Sequence, residues 1–308
     1  MWQCAVFLSQ TGYSHILQHW RLRISSIWVR SRVIDASFRG CNDRGKKRGR
    51  RHIALYRELV QDDETRMNKI EFALRHALAN NDFTLKYQPQ VYAHNGEVHG
   101  IEALLRWKHP EYGPISPVEF IPIAERTGLI HDLGLWVIEE ACRQLRQWEL
   151  NGLVNLRIGV NVSIDQLYDT QFIERLEHIV RSSGIVPQPL VIEVTESIAA
   201  VADTVLQRLH ELKNLGVGIA IDDFGTGYSS LSYLRDFPAD YLKIDRSFIS
   251  RIEKHESDRK LVATVIELAR HFTLATVAEG VETSRQMQIL QDCGVEYLQG
   301  YLIGRPMN

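Results

Sequence analysis

What the chain lacks narrows its chemistry before any motif is read. It has four cysteines in 308 residues, Cys4, Cys41, Cys142 and Cys293. They are scattered, with no CxxC pair and no metal-finger spacing, so a thiol-held zinc site and a disulfide framework are not expected and a reducing compartment fits. Long apolar runs are missing too: none reaches the roughly 18 residues that a membrane span needs. The N-terminus opens on apolar residues but has neither a basic n-region nor a clean cleavage site, so no signal peptide is expected. Nor does one sign of charge dominate. The formal net charge is -2, and the whole-molecule field draws in neither a nucleic-acid polymer nor an anionic membrane. A cytoplasmic chain without a membrane span is the expectation.

The chain is 44% hydrophobic, enough for one large core plus a short appendage. Residues 1–66 read as that appendage, an irregular N-terminal extension. Trp2, Trp20 and Trp28 follow no clear period, and a dense basic run, Arg44-Gly45-Lys46-Lys47-Arg48-Gly49-Arg50-Arg51, comes after them. A solvated linker is the plainer reading of that run, and a grip on phosphate backbones the other. From Glu64 to Asn80 the pattern turns helical, with Ile70, Leu74 and Leu78 spaced four apart on one face.

Beyond residue 80 a regular alternation begins. Strand-like runs occur at Phe83-Tyr92, Val98-Trp107, Leu156-Ser163, Leu190-Ser197, Val217-Phe224, Tyr241-Ile244, Ala275-Val281 and Tyr297-Ile303. Most are short, β-branched and apolar on consecutive positions, as strands buried on both faces should be. The turn His94-Asn95-Gly96 makes a hairpin of the first two and predicts an antiparallel first strand. Helix-length segments fill the other intervals: Asp132-Asn151, Asp169-Gly184, Val201-Gly216, Asp258-Phe272 and Thr283-Gly294. The alternation predicts an α/β fold, a TIM-type (β/α)8 barrel. A doubly wound open sheet is the alternative, with its ligand at one switch point. Against it, polar residues end nearly every strand here.

Those strand ends carry the chemistry. Glu102, Asn161, Glu193 and Asp222 offer all-oxygen ligation, suited to Mg²⁺ or Mn²⁺. Asp223 follows directly and reaches toward a second ion, with Asp222 as the bridge. A two-metal clamp of that kind serves in-line displacement at phosphorus. Lys243 adds a fixed cation or proton-transfer group, and Arg106 a hold on a phosphate oxygen. No histidine ends any of these strands, which argues against a zinc hydrolase. Taken singly, each residue has a plainer role: Glu102 in a salt bridge to Arg106, Asn161 as a turn-former, Asp222-Asp223 as a helix cap, Lys243 as a solvated lysine. Taken together, those plain roles would all have to fall at corresponding positions by accident.

The ordered set resembles the EAL domain family. The match begins with Tyr87-Gln88-Pro89-Gln90 and Glu102-Ala103-Leu104-Leu105-Arg106-Trp107. It continues through Asn161-Val162-Ser163, Glu193-Val194-Thr195-Glu196-Ser197 and Asp222-Asp223-Phe224-Gly225-Thr226-Gly227-Tyr228-Ser229-Ser230. Leu242-Lys243-Ile244-Asp245, Ala278-Glu279-Gly280-Val281-Glu282 and Gln299-Gly300-Tyr301 complete it. It covers residues 67–308. The resemblance implies hydrolysis of cyclic di-GMP to linear pGpG by a metal-activated hydroxide attacking phosphorus in line, with two Mg²⁺ or Mn²⁺ ions. It implies one metal on Glu102, Asn161, Glu193 and Asp222, and a second on Asp222 and Asp223 with help from Glu279. It makes Lys243, Glu279 and Glu102 catalytic and puts Gln88, Leu104 and Arg106 on the substrate. Glu196 would anchor the loop Asp223-Ser230, and Glu282 and Gln299 would support the site. A homodimer through that loop region is implied as well.

Many family members carry a GGDEF cyclase-like domain upstream. Here residues 45–57 resemble only the tail of one, and no Gly-Gly-Asp/Glu-Glu-Phe motif occurs. Cyclase activity is not expected. A catalytically silent cyclic di-GMP receptor signalling through the Asp223-Ser230 loop is the alternative function. Such a receptor tends to lose a metal ligand or the lysine, and this chain keeps them all. A barrel acting on another phosphoester and DNA binding through the basic run are the remaining readings.

Overall fold

Eight strands close on themselves in a computed structural model of the chain, which describes residues 54–197, 203–226 and 234–308. The basic run 44–51 and residues 227–230 of the loop lie outside the described residues, as do Cys4 and Cys41. Residues 70–308 form one compact unit.

The barrel is built from β1 (Phe83–Tyr92), β2 (Val98–His109), β4 (Arg157–Asn161), β5 (Leu190–Thr195), β6 (Gly218–Phe224), β7 (Tyr241–Ile244), β8 (Ala275–Ala278) and β9 (Tyr297–Gln299). Pairing runs β1-β9-β8-β7-β6-β5-β4-β2, and β1 with β2 closes the ring. The expected antiparallel first strand is present: β1 pairs antiparallel with both β2 and β9, while the others from β2 round to β9 are parallel. Gly96, at φ 74, makes the hairpin turn, where a residue with a side chain would be strained.

Alternation along each strand sorts the side chains. Ile158, Val160, Leu190, Ile192, Val194 and Ile219 point outward into one apolar cluster with helix residues such as Ile138, Leu145, Phe172 and Leu209. Ile221, Leu242, Ile244, Ala278 and Leu298 do the same with Val262, Ile266 and Leu290. Helices α3 (Ile130–Leu150), α5 (Phe172–Ser183), α6 (Asp203–Asn214), α8 (Glu256–His271) and α9 (Ser284–Cys293) thus bury their apolar stripes against the sheet. Each Leu or Ile so buried contributes about 1.5–3 kcal/mol. The end of α1 (Ala54–Ala77) packs Ile70, Ala73, Leu74 and Ala77 beside Phe83, Trp107 and Phe120.

Four elements were not visible in the sequence pattern, among them the short helices α4 (Ile164–Tyr168) and α7 (Arg246–Ile249). A short β3 (Gly113–Ile115) pairs antiparallel with the end of β2, and α2 (Pro117–Thr127) follows it. Three residues are too few to show a period, and Pro117 and Pro122 mask the helix. The last two runs are also shorter than their apolar stretches suggest, ending at Ala278 and Gln299. The chain bends at Gly300 to pass close over Val281. A Cβ on Gly300 would lie 2.2 Å from the Val281 nitrogen, and Leu302 N donates to Val281 O.

Candidate metal centre at the barrel mouth

Inward-facing residues stack in layers along the barrel axis. Val191, Ala220, Tyr241 and Val277 pack together as one apolar layer. Two residues further along the same strands stand Glu193, Asp222, Lys243 and Glu279. The period of two thus lifts the polar set one layer toward the C-terminal strand ends, where barrels of this type carry their chemistry. Register fixes the lateral neighbours: Asn161 is level with Glu193, and Gln88 lies opposite Glu102.

Lys243 is the hub. It is 1% exposed, and its Nζ lies 2.5 Å from Glu193, 2.8 Å from Glu279, 3.2 Å from Asp222 and 3.5 Å from Glu102. Burial opposes the ammonium, but the four carboxylates outweigh it and hold the lysine pKa well above its ordinary value. Their own pKa values diverge. Burial, reinforced by Glu102 and Asp222, raises Glu193 well above the usual range despite Lys243. Burial also raises Glu279, to about 8, and Asp223, to about 6. Burial acts on Glu102 too, yet the Lys243 charge and hydrogen bonds from Gln299 and Asn161 leave its pKa lowered. Glu102 thus differs from Glu193 and Glu279, whose charged forms burial disfavours.

Glu102 is held at both oxygens. Asn161 Nδ2 donates to Oε1 at 2.9 Å, and Gln299 Nε2 donates to Oε2 at 2.6 Å. Gln299 Nε2 also reaches Gln88 Oε1 at 3.3 Å, and Gln88 donates to Gly304 O at 3.0 Å.

Successive residues of a strand normally face opposite ways, so the use of both Asp222 and Asp223 at one site needs a local device. The β6–β7 register slips between Ile221 and Phe224, leaving Asp222 and Asp223 against Lys243 alone. Asp223 takes the left-handed conformation, φ 53. Its N–H donates to Asp222 Oδ1 at 2.9 Å.

The donor set suits divalent cations. Glu102, Glu193 and Asp222 each offer an oxygen within 4.8 Å of the others, and Asp222, Asp223 and Glu279 form a second such group. Asp222 belongs to both. Ionised, the four carboxylates around Lys243 carry an excess of three negative charges in a buried space, which a hard cation would offset.

The remaining expected residues fall at or beside the mouth. Arg106 and Leu104 are half-buried on β2, on the same face as Glu102. Arg106 Nη1 donates to Leu105 O at 2.8 Å, so the salt bridge to Glu102 that its spacing allows is not made. Glu196 is buried, and its Oε2 accepts from Gly225 N at 2.7 Å. Glu282 is exposed; its described contact runs from its N–H to Gln286 Oε1, not to the carboxylate group. Sequence reasoning missed Gly159, where a Cβ would lie 2.0 Å from Glu193 Oε1. Its place two residues before Asn161, on the same inward face, was the available signal.

Barrel and centre together define a class, a (β/α)8-type barrel whose C-terminal mouth holds a buried oxygen-donor site. The EAL domain family matches residues 71–306, and the chain belongs to that family. It is 43% identical over 263 residues to the bifunctional diguanylate cyclase/cyclic di-GMP phosphodiesterase MucR of Pseudomonas aeruginosa, covering 85% of this chain and 38% of that protein. It is 40% identical over 260 residues to the cyclic di-GMP phosphodiesterase NbdA of the same organism, covering 84% and 33%. The chain therefore spans less than two fifths of the length of either relative. Among solved structures, the PaMucR phosphodiesterase in complex with c-di-GMP gives a TM-score of 0.75 at 45% identity, covering 78% of this chain and 97% of that one. The EAL enzyme Bd1971, bound to cAMP and cyclic di-GMP, gives 0.76 at 33% identity, covering 82% and 70%.

Proposed function

We propose that residues 67–308 form a phosphodiesterase that hydrolyses cyclic di-GMP to linear pGpG with the help of two divalent cations, Mg²⁺ or Mn²⁺. The observation that carries this reading is one ammonium enclosed by four carboxylates at the barrel mouth. The phosphodiesterase names of the similar proteins MucR and NbdA support the substrate.

Glu102, Asn161, Glu193 and Asp222 would hold one cation; Asp222, Asp223 and Glu279 would hold the other. When bound, such ions stabilise charge on phosphoryl oxygens and make water acidic enough to attack at neutral pH. The chain's own groups do the rest. Gln88, Leu104 and Arg106 hold the cyclic dinucleotide, with the Arg106 guanidinium on a phosphate oxygen. Lys243, pinned as an ammonium by Glu193 and Glu279, orients the attacking water, whose proton passes to one of the centre's carboxylates. The water oxygen bonds to phosphorus as the bond from phosphorus to the 3′ oxygen breaks, and that oxygen leaves with a proton. Glu196 steadies the loop after Asp223, and Gln299 and Glu282 support the centre.

Residues 1–66 are an N-terminal extension in this reading. The protein works in the cytoplasm as a homodimer through the loop region after Asp223. No helix among the described residues is long and apolar enough to cross a membrane. The receptor alternative predicts ligand binding without product. EDTA-treated protein is expected to leave cyclic di-GMP intact and to regain hydrolysis when Mg²⁺ or Mn²⁺ is added. Hydrolysis unaffected by EDTA would overturn the metal assignment.

A further inference from the structure

We propose that Gln90 is a positioning residue for Glu102, acting through the side-chain amide of Gln299; this rests on the metal-site reading above. Gln90 lies two residues past Gln88 on the inward face of β1. Register sets it directly opposite Gln299 on β9 and opposite Gly100 on β2. Its Nε2 donates to Gln299 Oε1 at 2.8 Å, and Gln299 Nε2 donates in turn to Glu102 Oε2 at 2.6 Å.

Chemistry gives this chain a direction. An ionised carboxylate only accepts, so Gln299 must turn its NH2 toward Glu102 and its carbonyl toward Gln90. An amide can flip at little cost in shape, so its orientation is set by its partners. Gln299 is 4% exposed, and a carbonyl left unpaired there costs about 1–3 kcal/mol. Gln90 supplies the donor that keeps the amide the right way round. Gly100 makes room for it: a Cβ at Gly100 would sit 3.2 Å from Gln90 Oε1. Below the centre, Gln90 lines a cavity with His99, Arg157, Glu193 and Lys243. It thus connects the barrel's lower layer to the one carboxylate that both Asn161 and Gln299 hold in place.

Two variants test this, Gln90→Leu and Gln90→Glu, each first shown by thermal melting to fold. The primary readout is Mn²⁺ affinity without substrate, measured by calorimetry at pH 8 against wild type. Gln90→Leu removes the donor and is expected to weaken Mn²⁺ binding about 10- to 100-fold, the usual effect of losing a partner behind a metal ligand. Gln90→Glu is nearly isosteric and should do more harm at pH 8. Its carboxylate accepts, which turns the Gln299 NH2 away from Glu102 and sets carbonyl against carboxylate. Unchanged affinity in both variants, or equal deficits in both, would overturn the proposal. Wild type that binds Mn²⁺ but does not cleave cyclic di-GMP would overturn the proposed function, and the affinity comparison would still decide the role of Gln90.

Discussion

Lys243 Nζ and Glu193 Oε2 lie 2.5 Å apart, joining β7 to β5 across the inside of the barrel and over Asp222 on the strand between them. The contact shows how the centre is assembled. β5 and β7 are not paired with each other, so the curvature of the sheet brings the lysine to Glu193, while Asp222 on β6 and Glu279 after β8 stand on strands paired with β7. Both residues are almost fully buried, so breaking the group by removing one member leaves charges without compensation.

Lys243→Ala removes the only cation among the described residues within salt-bridge reach of these four carboxylates. Turnover of cyclic di-GMP is expected to fall about 10²- to 10³-fold, the range for losing one preorganised donor, with a smaller change in KM. Steady-state kinetics check this, and unchanged turnover would remove Lys243 from the mechanism.

Glu102→Ala and Asp222→Ala should each abolish hydrolysis. The first loses the carboxylate held by both Asn161 and Gln299; the second loses the residue shared by both oxygen groups. The expected drop is at least about 10³-fold, since a bound cation is worth several kcal/mol of charge stabilisation. Product chromatography of the purified variants measures it. Full activity in either would refute the metal assignment.

Protons and metal compete at this site. Burial raises Asp223 to about 6 and Glu279 to about 8, against ordinary values of 3.8 and 4.5. Between the ordinary and the raised values the folded, metal-free protein binds more protons than the unfolded chain. Its stability therefore falls as pH rises through that window. Cation binding needs the ionised forms, so Mn²⁺ affinity should rise from pH 6 to pH 8 and binding at pH 7 should release protons. Calorimetry in buffers of different ionisation enthalpy reads the release. No release at pH 7 would count against these groups as ligands.

Gly225 ties the loop to the barrel. It has φ +96, a Cβ there would lie 2.5 Å from Phe248, and its N–H donates to Glu196. Gly225→Ala is expected to destabilise the protein by about 1–3 kcal/mol from backbone strain alone. That lowers Tm by about 2–4 °C per kcal/mol for a domain of this size. A Tm unchanged from wild type would show that the loop relaxes instead.

Much of this was legible in the sequence, for reasons that can be named. Strands buried on both faces read as apolar runs, and a single polar residue at the end of each, such as Glu193 or Asp222, stood out against them. The hairpin turn at Gly96 revealed the antiparallel first strand. Other features depend on register, which a single sequence does not display. Gly159 matters because Glu193, from another strand, lies over it. Gln90 matters because β1 sets it opposite Gln299, more than 200 residues away. The Asp222-Asp223 pair was legible as chemistry, but not the bulge and left-handed turn that accompany it. The short β3 was missed because three residues show no period, and α2 because Pro117 and Pro122 interrupt the helical spacing of Phe120, Ile123 and Ala124.

The central claim is best tested by incubating the purified protein with cyclic di-GMP and Mg²⁺ and separating the nucleotides by chromatography. The account predicts conversion to pGpG that stops with EDTA and is lost in Lys243→Ala. Tight binding of cyclic di-GMP with no pGpG, in the presence of Mg²⁺ or Mn²⁺, would contradict it and make the barrel a receptor.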